Sequence, residues 1–381
     1  MKKNSLVLIG GVLGALSIAG CGGGPPPFEV VPESSDMYIG YKGDVSRSGY
    51  TNSSADIGFS PLWQIKFRRP LYFEPAMAGD YAFQPDTDRK IHVIDINTGV
   101  EVAEIKVKRP IGTTPELYGQ YMAIGEEGLN SELVVFDYIK GRVNWTAKTY
   151  RVCLQPLLYD NKIFWVDGKN RINAANLEDG EKLWSKKILG GVDTAPILCN
   201  DNIYVTSRDS LIYGLAPEDG SVIWKAKGLG RSNSSPACFE DKIYICNSNG
   251  IVAAYDVSKG DLLWSHDNGS RLFYSPSVDS GGVYFGSGDG MFVKLNRTTG
   301  ELIWDYNAGS PVRGTAIVNA KATVFTSLDY TVYVLDKFTG KPITSYVAGG
   351  YISAAPVLFD NKLFIAAQDK SLNCFSLEGE E

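Results

Sequence analysis

A repeat of about 40 residues runs through most of this chain and restricts its fold more than any other feature. Eight short segments share one register, and each ends in a proline or, once, in an alanine. Their last residues are Pro75, Pro115, Pro156, Pro196, Pro236, Pro276, Ala316 and Pro356, separated by 40, 41, 40, 40, 40, 40 and 40 positions. A turn glycine recurs in the same register at Gly99, Gly141, Gly180, Gly220, Gly260, Gly300 and Gly340. Self-similarity at a fixed period of this length predicts a repeat architecture.

Each repeat has the pattern of four short strands. In the unit that begins at Ser234, apolar stretches at 234–239, 242–247, 251–256 and 262–266 are separated by short polar or glycine-containing turns. Four strands in about 40 residues, with no helical pattern between them, is typical of a propeller blade.

The last repeat is incomplete, and its missing part is found at the other end of the chain. It stops after the third-strand segment 372–377, whereas 61–65 resembles a fourth strand and precedes the first full unit. Pairing of the two ends leaves no open sheet edge. The predicted fold is therefore an all-β, eight-bladed β-propeller of four antiparallel strands per blade, with an N-terminal strand that completes the last blade.

The N-terminus has the features of an export signal. A basic start is followed by a short apolar run over 6–18, which is too short to span a bilayer. The run ends in Ile18-Ala19-Gly20-Cys21, which resembles a bacterial lipobox, so Cys21 is the predicted lipidation site. An ordinary secretory signal with an incidental cysteine is the alternative. We predict a lipoprotein signal peptide at 1–20, a flexible Gly/Pro-rich tether at 21–37 and the propeller at 38–381.

The recurring tryptophans are predicted to stabilise the fold. A tryptophan follows the turn glycine by four residues at Trp145, Trp184, Trp224, Trp264 and Trp304. A large ring at one position of each blade is expected to pack between neighbouring blades. We therefore assign no tryptophan to a ligand site.

The cysteines beyond Cys21 do not form a recognisable framework. There are five of them, without a CxxC pair: Cys153, Cys199, Cys238, Cys246 and Cys374. An odd number in apolar strand contexts predicts buried free thiols. One incidental disulfide is the alternative.

The sequence offers little that indicates catalysis. His92 and His266 are its two histidines, and both are expected to be packed or solvated rather than catalytic. Carboxylates recur at one turn position, where they serve a fold more often than a reaction: Asp209, Asp289, Asp329 and Asp369. Catalytic and phosphate-binding motifs are absent, and a net charge of −6 argues against nucleic-acid binding. We predict no enzyme, no cofactor and no metal.

Arginines recur three to six residues ahead of the first strands, where a propeller places the loops that surround its central channel. They are Arg69, Arg109, Arg151, Arg231, Arg271 and Arg313. Aromatic residues lie in or beside the same loops: Tyr72, Tyr150, Phe273, Tyr274 and Tyr351. Arginine and tyrosine often anchor protein interfaces. The alternative is a set of ion pairs between neighbouring blades, which contribute little when exposed.

The tryptophan motif and the segment 43–50, Gly-Asp-Val-Ser-Arg-Ser-Gly-Tyr, resemble the propeller repeats of the pyrroloquinoline-quinone (PQQ) type over about residues 40–381. A lipoprotein of this length with eight blades is similar to the BamB family, which implies a scaffold of outer-membrane β-barrel assembly. The family contacts its barrel partner through an arginine ahead of one first strand and an acidic residue ahead of the next. Arg151 and Asp193 occupy the matching positions, although Thr149 and Tyr150 replace the leucines that usually precede the arginine.

These observations lead to one functional prediction and two alternatives. We predict a non-enzymatic, lipid-anchored scaffold at the outer membrane that faces the periplasm and works as a monomer within a complex. Its partner is predicted to be a β-barrel assembly subunit or another envelope protein. The candidate partner-binding residues are Tyr150, Arg151, Asp193, Arg231, Arg271 and Arg313. The alternatives are a PQQ-dependent oxidoreductase and a periplasmic propeller that binds a small ligand or a polysaccharide.

Overall fold

The regular elements of this protein are all strands within the part of the chain that the structure describes. The computed structural model describes residues 40–150 and 154–378, together with the backbone of Leu16–Ile18 and Met37–Tyr38. Cys21, Arg151 and Cys153 lie outside the described residues, so the lipidation site and the domain boundaries stay predictions. No helix in the described ranges has both the length and the apolar character needed to cross a membrane.

The strands are numbered in chain order. Three precede the first blade: β1 (Leu16–Ile18), β2 (Met37–Tyr38) and β3 (Asp56–Lys66). Blade 1 contains β4 (Ala76–Ala78), β5 (Tyr81–Pro85), β6 (Lys90–Asp95) and β7 (Glu101–Lys106). Blade 2 contains β8 (Glu116–Tyr118), β9 (Tyr121–Gly125), β10 (Glu132–Asp137) and β11 (Arg142–Lys148). Blade 3 contains β12 (Leu157–Tyr159), β13 (Lys162–Asp167), β14 (Arg171–Asn176) and β15 (Lys182–Lys187). Blade 4 contains β16 (Ile197–Cys199), β17 (Asn202–Thr206), β18 (Leu211–Leu215) and β19 (Val222–Lys227).

The second half continues the pattern. Blade 5 contains β20 (Ala237–Phe239), β21 (Lys242–Cys246), β22 (Ile251–Asp256) and β23 (Leu262–Asp267). Blade 6 contains β24 (Ser277–Asp279), β25 (Gly282–Gly286), β26 (Met291–Leu295) and β27 (Leu302–Asn307). Blade 7 contains β28 (Val312–Val318), β29 (Ala322–Ser327), β30 (Thr331–Asp336) and β31 (Pro342–Val347). Blade 8 contains β32 (Val357–Phe359), β33 (Lys362–Ala366), β34 (Ser371–Glu378) and the early strand β3.

Each blade contains four antiparallel strands, which follow the chain order in blades 1 to 7, and this confirms the predicted eight-bladed propeller. The predicted closure is confirmed too, because β3 pairs with β34 in a register that sets Lys66 opposite Ser371 and Trp63 opposite Cys374. In blade 1, β2 pairs with β4, and β1 pairs in parallel with β7.

Burial follows the position of a strand within its blade. The middle of an inner strand such as β6 is buried on both faces. In the outer strand β23, by contrast, Trp264 is buried whereas Leu262 and Leu263 are exposed. Inner strands are covered by the neighbouring blades on both sides, so they need continuous apolar runs. The core is therefore a ring of contacts between blades.

The tryptophans join neighbouring blades, as predicted. Trp264 Nε1 donates a hydrogen bond to the carbonyl of Arg297 at 3.0 Å on the next blade. A Cβ on Gly300, which has a φ of +74°, would lie 2.5 Å from the same ring. Equivalent indole hydrogen bonds join Trp63 to Ile96, Trp145 to Leu177, Trp184 to Pro217, Trp224 to Val257 and Trp304 to Lys337. The turn glycine therefore leaves room for the ring of the preceding blade.

The segment Gly40–Tyr50, here called the central segment, crosses the middle of the propeller. Its backbone carbonyls accept hydrogen bonds from the first strands of four consecutive blades. The pairs are Val45 with Leu198, Ser46 with Cys238, Ser48 with Val278 and Gly49 with Val318, at 2.8–3.0 Å. These strands face the channel, where their amides would otherwise have no protein partner.

The expectation of free thiols is only partly right. Cys199 and Cys238 form a disulfide between the first strands of blades 4 and 5, with a Cα–Cα distance of 5.8 Å. Cys246 and Cys374 are free and buried. The 39-residue separation is one residue less than the repeat, so the cysteines lie on adjacent first strands at neighbouring positions.

Candidate functional site

The face that carries the predicted binding residues is formed by two sets of loops. One set leads into the first strand of each blade and the other joins its second and third strands, and antiparallel topology places both at the same end of the blade. We call this end the rim face. It surrounds one mouth of the central channel.

Asp193 lies at the centre of a charged group on the rim face. Its carboxylate contacts Arg208, from the loop between the second and third strands of blade 4, and Arg231, from the loop leading into blade 5. The carboxylate is 16% exposed, whereas about half of each arginine side chain is exposed. Asp193 therefore holds two basic side chains at the surface, and the Arg231 contact joins neighbouring blades.

Tyr150 lies in the loop leading into the preceding blade, blade 3, in a strained backbone conformation with a φ of +56°. Lys169 Nζ is 3.4 Å from the centre of its ring, and the Arg171 guanidinium is 5.3 Å away. Hydrogen bonds from Lys169 and Arg171, together with their positive charge, lower the pKa of the Tyr150 hydroxyl. A bulky residue at positive φ is costly and is often found at functional sites.

Leu189, which the sequence analysis did not single out, is the most exposed large apolar side chain of the described residues, at 90%. It lies in the loop leading into blade 4, between the strand end Lys187 and Gly190. An apolar residue beside glycines in a rim loop was a signal that could have identified it. The rim patch is defined here as Tyr150, Leu189, Asp193, Arg208 and Arg231 on three consecutive blades.

The remaining arginines lie around the ring and do not form one cluster. Arg313 Nη1 donates to the Tyr274 hydroxyl at 3.2 Å, and Arg271 is exposed on the rim loop of blade 6. Arg69 and Arg109 lie 3.8 Å from Asp88 and Glu126, within their own blades. Ion pairing therefore occupies part of the rim, but of these arginine pairs only Arg231–Asp193 joins neighbouring blades, as the alternative interpretation expected. The rim patch combines charged groups with the exposed apolar side chain of Leu189.

One grouping of ligand-type side chains within the described ranges has the spacing of a metal site: His92, Glu101 and Glu104. Both ring nitrogens of His92 are already engaged, Nδ1 with Glu101 at 2.9 Å and Nε2 with Asp86 at 3.2 Å. Burial lowers the pKa of His92, but the two carboxylates outweigh it and raise it to about 9. A protonated imidazole has no lone pair for a metal, so this group is an ion-pair cluster.

Comparisons with known proteins agree with the repeat pattern. A family model described as outer membrane protein assembly factor BamB matches residues 60–188, 169–333 and 293–380. A search of curated proteins gives no match.

Solved structures of several kinds share the fold. The structure of BamB from Moraxella catarrhalis is 16% identical, with a TM-score of 0.70 over 84% of this chain and 100% of that one. The quinohemoprotein alcohol dehydrogenase from Comamonas testosteroni is 11% identical, with a TM-score of 0.74 over 92% of this chain and 82% of that one. A computationally designed protein, Ika8, is 15% identical, with a TM-score of 0.75 over 84% and 100%. At these identities the likenesses show the fold alone.

Proposed function

Because this chain belongs to the family of outer membrane protein assembly factor BamB, we propose that it is a non-enzymatic scaffold in the assembly of outer-membrane β-barrel proteins. The observation that carries the proposal is the family match, which extends through all eight blades. In this proposal Cys21 anchors the chain in the outer membrane and the propeller faces the periplasm. One lipid-modified cysteine with several acyl chains gives a stable anchor.

The rim patch is the proposed contact surface for the assembly partner. Leu189 offers an apolar anchor, while Arg208 and Arg231 offer positive charge held in place by Asp193. A partner surface with carboxylates around an apolar pocket would match it. Arg151, beside Tyr150, is included in the proposal, together with Arg271 and Arg313 at the edge of the same face.

Co-purification tests this proposal. The full chain with a C-terminal tag is isolated from detergent extracts of its own cells, and co-purifying proteins are identified by mass spectrometry. We expect the wild type to recover a β-barrel assembly subunit, and Leu189→Asp or Arg231→Glu to recover at least about tenfold less of it. Replacement of a hot-spot residue typically costs about 2 kcal/mol or more of binding free energy. Lys321→Glu, an exposed position at the opposite end of blade 7, is the matched control and should retain the partner. Absence of any assembly subunit from the wild-type sample would refute the scaffold role.

A quinone-dependent oxidoreductase is the competing proposal, favoured by the shared fold of quinohemoprotein alcohol dehydrogenases. Such enzymes commonly use two adjacent cysteines against the quinone, and this sequence has none. The disulfide Cys199–Cys238 joins two blades at the ends of their first strands, which lie away from the rim face. Addition of PQQ and Ca²⁺ to the purified protein is therefore expected to give neither a quinone absorbance nor dye reduction. Either signal would favour the enzyme.

A further inference from the structure

The central channel opens on the rim face into a cavity of about 290 Å³. Residues just ahead of the first strands line it, among them Glu74, Thr114, Gln155 and Thr315, and Tyr41 of the central segment lines it from within. The volume is close to the lower end of the range for small-molecule sites. A compact ligand of one sugar ring or a short chain would fill it.

Glu74 is the charged group of this cavity, and the protein satisfies its carboxylate only in part. The residue is 4% exposed, and its Oε1 atom is buried without a hydrogen bond. Burial raises the pKa of this carboxyl to about 7, although the amide of Ala355, the hydroxyl of Thr114 and the positive charge of Arg47 lower it. A buried carboxylate oxygen that accepts no hydrogen bond is costly, so a bound ligand that donates one to this oxygen would be favoured.

The basic groups beneath the cavity are already engaged elsewhere. Lys42 Nζ donates to the carbonyl of Pro276 at 2.8 Å, and Arg47 pairs with Glu116 at 3.1 Å. Together with Glu74 and the half-buried Asp44, this cluster contains three carboxyl groups and two basic groups. With all five groups ionised the cluster carries one excess negative charge. Because burial raises the pKa of Glu74 and of Glu116 to about 7, a cation in the cavity would favour this ionised state and an anion would oppose it.

The walls of the cavity favour an organic cation over a metal ion. Tyr72, Phe73 and Tyr274 line it together with Tyr41, and aromatic faces beside a carboxylate attract ammonium groups. Ca²⁺ or Mg²⁺ would need six or more oxygen ligands, usually with several carboxylates. Glu74 is the one carboxylate among the residues that line this cavity.

We propose that the channel mouth is a binding site for a small organic ammonium compound, with Glu74 as its counter-ion and the aromatic walls around its carbon skeleton. An amino sugar and a short diamine both have this chemistry and fit the volume. The site does not depend on the scaffold role, because neither Glu74 nor the aromatic wall residues belong to the rim patch.

Calorimetric titration of the full chain in detergent tests the site with four probes: glucosamine, N-acetylglucosamine, cadaverine and CaCl₂. Glucosamine or cadaverine should bind in a 1:1 ratio, and N-acetylglucosamine, which has lost the positive charge, should bind at least about tenfold more weakly. The two amines distinguish a sugar ligand from a linear one. Failure of both amines to bind, or binding of Ca²⁺ alone at this site, overturns the proposal.

Variants connect the binding to Glu74. Glu74→Gln should weaken amine binding about tenfold or more, and Tyr72→Ala, at an exposed wall position, about threefold or more. Glu126→Gln is the matched control, because Glu126 is also buried with an oxygen that accepts no hydrogen bond but does not line the cavity. Equal affinity of Glu74→Gln and wild type contradicts the proposal. If circular dichroism shows that Glu74→Gln is unfolded, the Tyr72→Ala result decides, and unchanged affinity there overturns it.

Discussion

Arg47 Nη1 lies 3.1 Å from Glu116 Oε1 in the centre of the propeller, and both side chains are almost completely buried. The same guanidinium donates to the carbonyl oxygens of Pro156 at 2.9 Å and Pro196 at 3.1 Å. One side chain of the central segment therefore joins the inner ends of blades 2, 3 and 4. Burial raises the pKa of Glu116 to about 7, so the carboxylate depends on Arg47 for its charge.

The first prediction concerns this central contact. Arg47→Met should lower the free energy of unfolding by about 3–5 kcal/mol, because it leaves a buried carboxylate without its cation and three backbone carbonyls without this donor. Urea unfolding followed by tryptophan fluorescence measures the change. Lys321→Met removes an exposed pair with Asp56 and should cost less than about 1 kcal/mol. A similar loss in both variants would show that the central segment does not stabilise the propeller.

The second prediction separates backbone strain from packing at the blade joints. Gly300 and Gly309 have the same φ of +74°, but a Cβ on Gly300 would meet Trp264 at 2.5 Å, whereas a Cβ on Gly309 would meet nothing within 4 Å. Gly309→Ala should therefore cost about 1–2 kcal/mol for the left-handed backbone alone. Gly300→Ala should cost about 1–3 kcal/mol more, since the ring must shift. Thermal and urea unfolding of both variants measure the difference, and equal losses would contradict the packing role of the glycine.

The repeat made the architecture predictable from the sequence. The 40-residue period gives the number of blades and the order of their strands, and the missing last strand gives the closure by β3. Such a period determines the fold because each blade can bury its faces only against its neighbours. The recurrence of a tryptophan at one position of each blade also predicted its packing between blades. The contact of Trp264 with Gly300 of the next repeat was not part of that prediction.

The contents of the channel were not predictable in the same way. Residues 40–50 lie outside the repeat, so the period gives no register for Arg47 or Lys42, and their buried partners come from blades far apart in sequence. Glu74 occupies a position that repeats elsewhere as Thr, Gln, Ala or Ser, and its burial depends on the whole ring. The disulfide was only the alternative prediction, because an odd number of cysteines without a CxxC pair does not indicate which two are bonded.

The last prediction uses His92, whose imidazole is held between Asp86 and Glu101 and packs on Phe67 with 4.5 Å between ring centres. Its pKa in the folded state is about 9, above the unfolded value near 6.5. The stabilisation from protonated His92 is therefore complete below about pH 6.5 and is lost as the pH rises through about 9. We expect this contribution to be on the order of 2–3 kcal/mol.

The measured quantity is the difference in unfolding free energy between the wild type and His92→Gln from pH 6 to pH 10. The difference is needed because burial moves the pKa values of Lys42, Glu74 and Glu116 to about 7, and these groups titrate in both proteins. This difference in unfolding free energy should be largest at pH 6 and should decrease towards pH 10, because the wild type loses a stabilising proton that the variant never had. His266→Gln, at a partly exposed position of β23, is the matched control and should show no such trend. If the difference in unfolding free energy between wild type and His92→Gln stays constant or increases with pH, the ion-pair cluster does not hold His92 protonated.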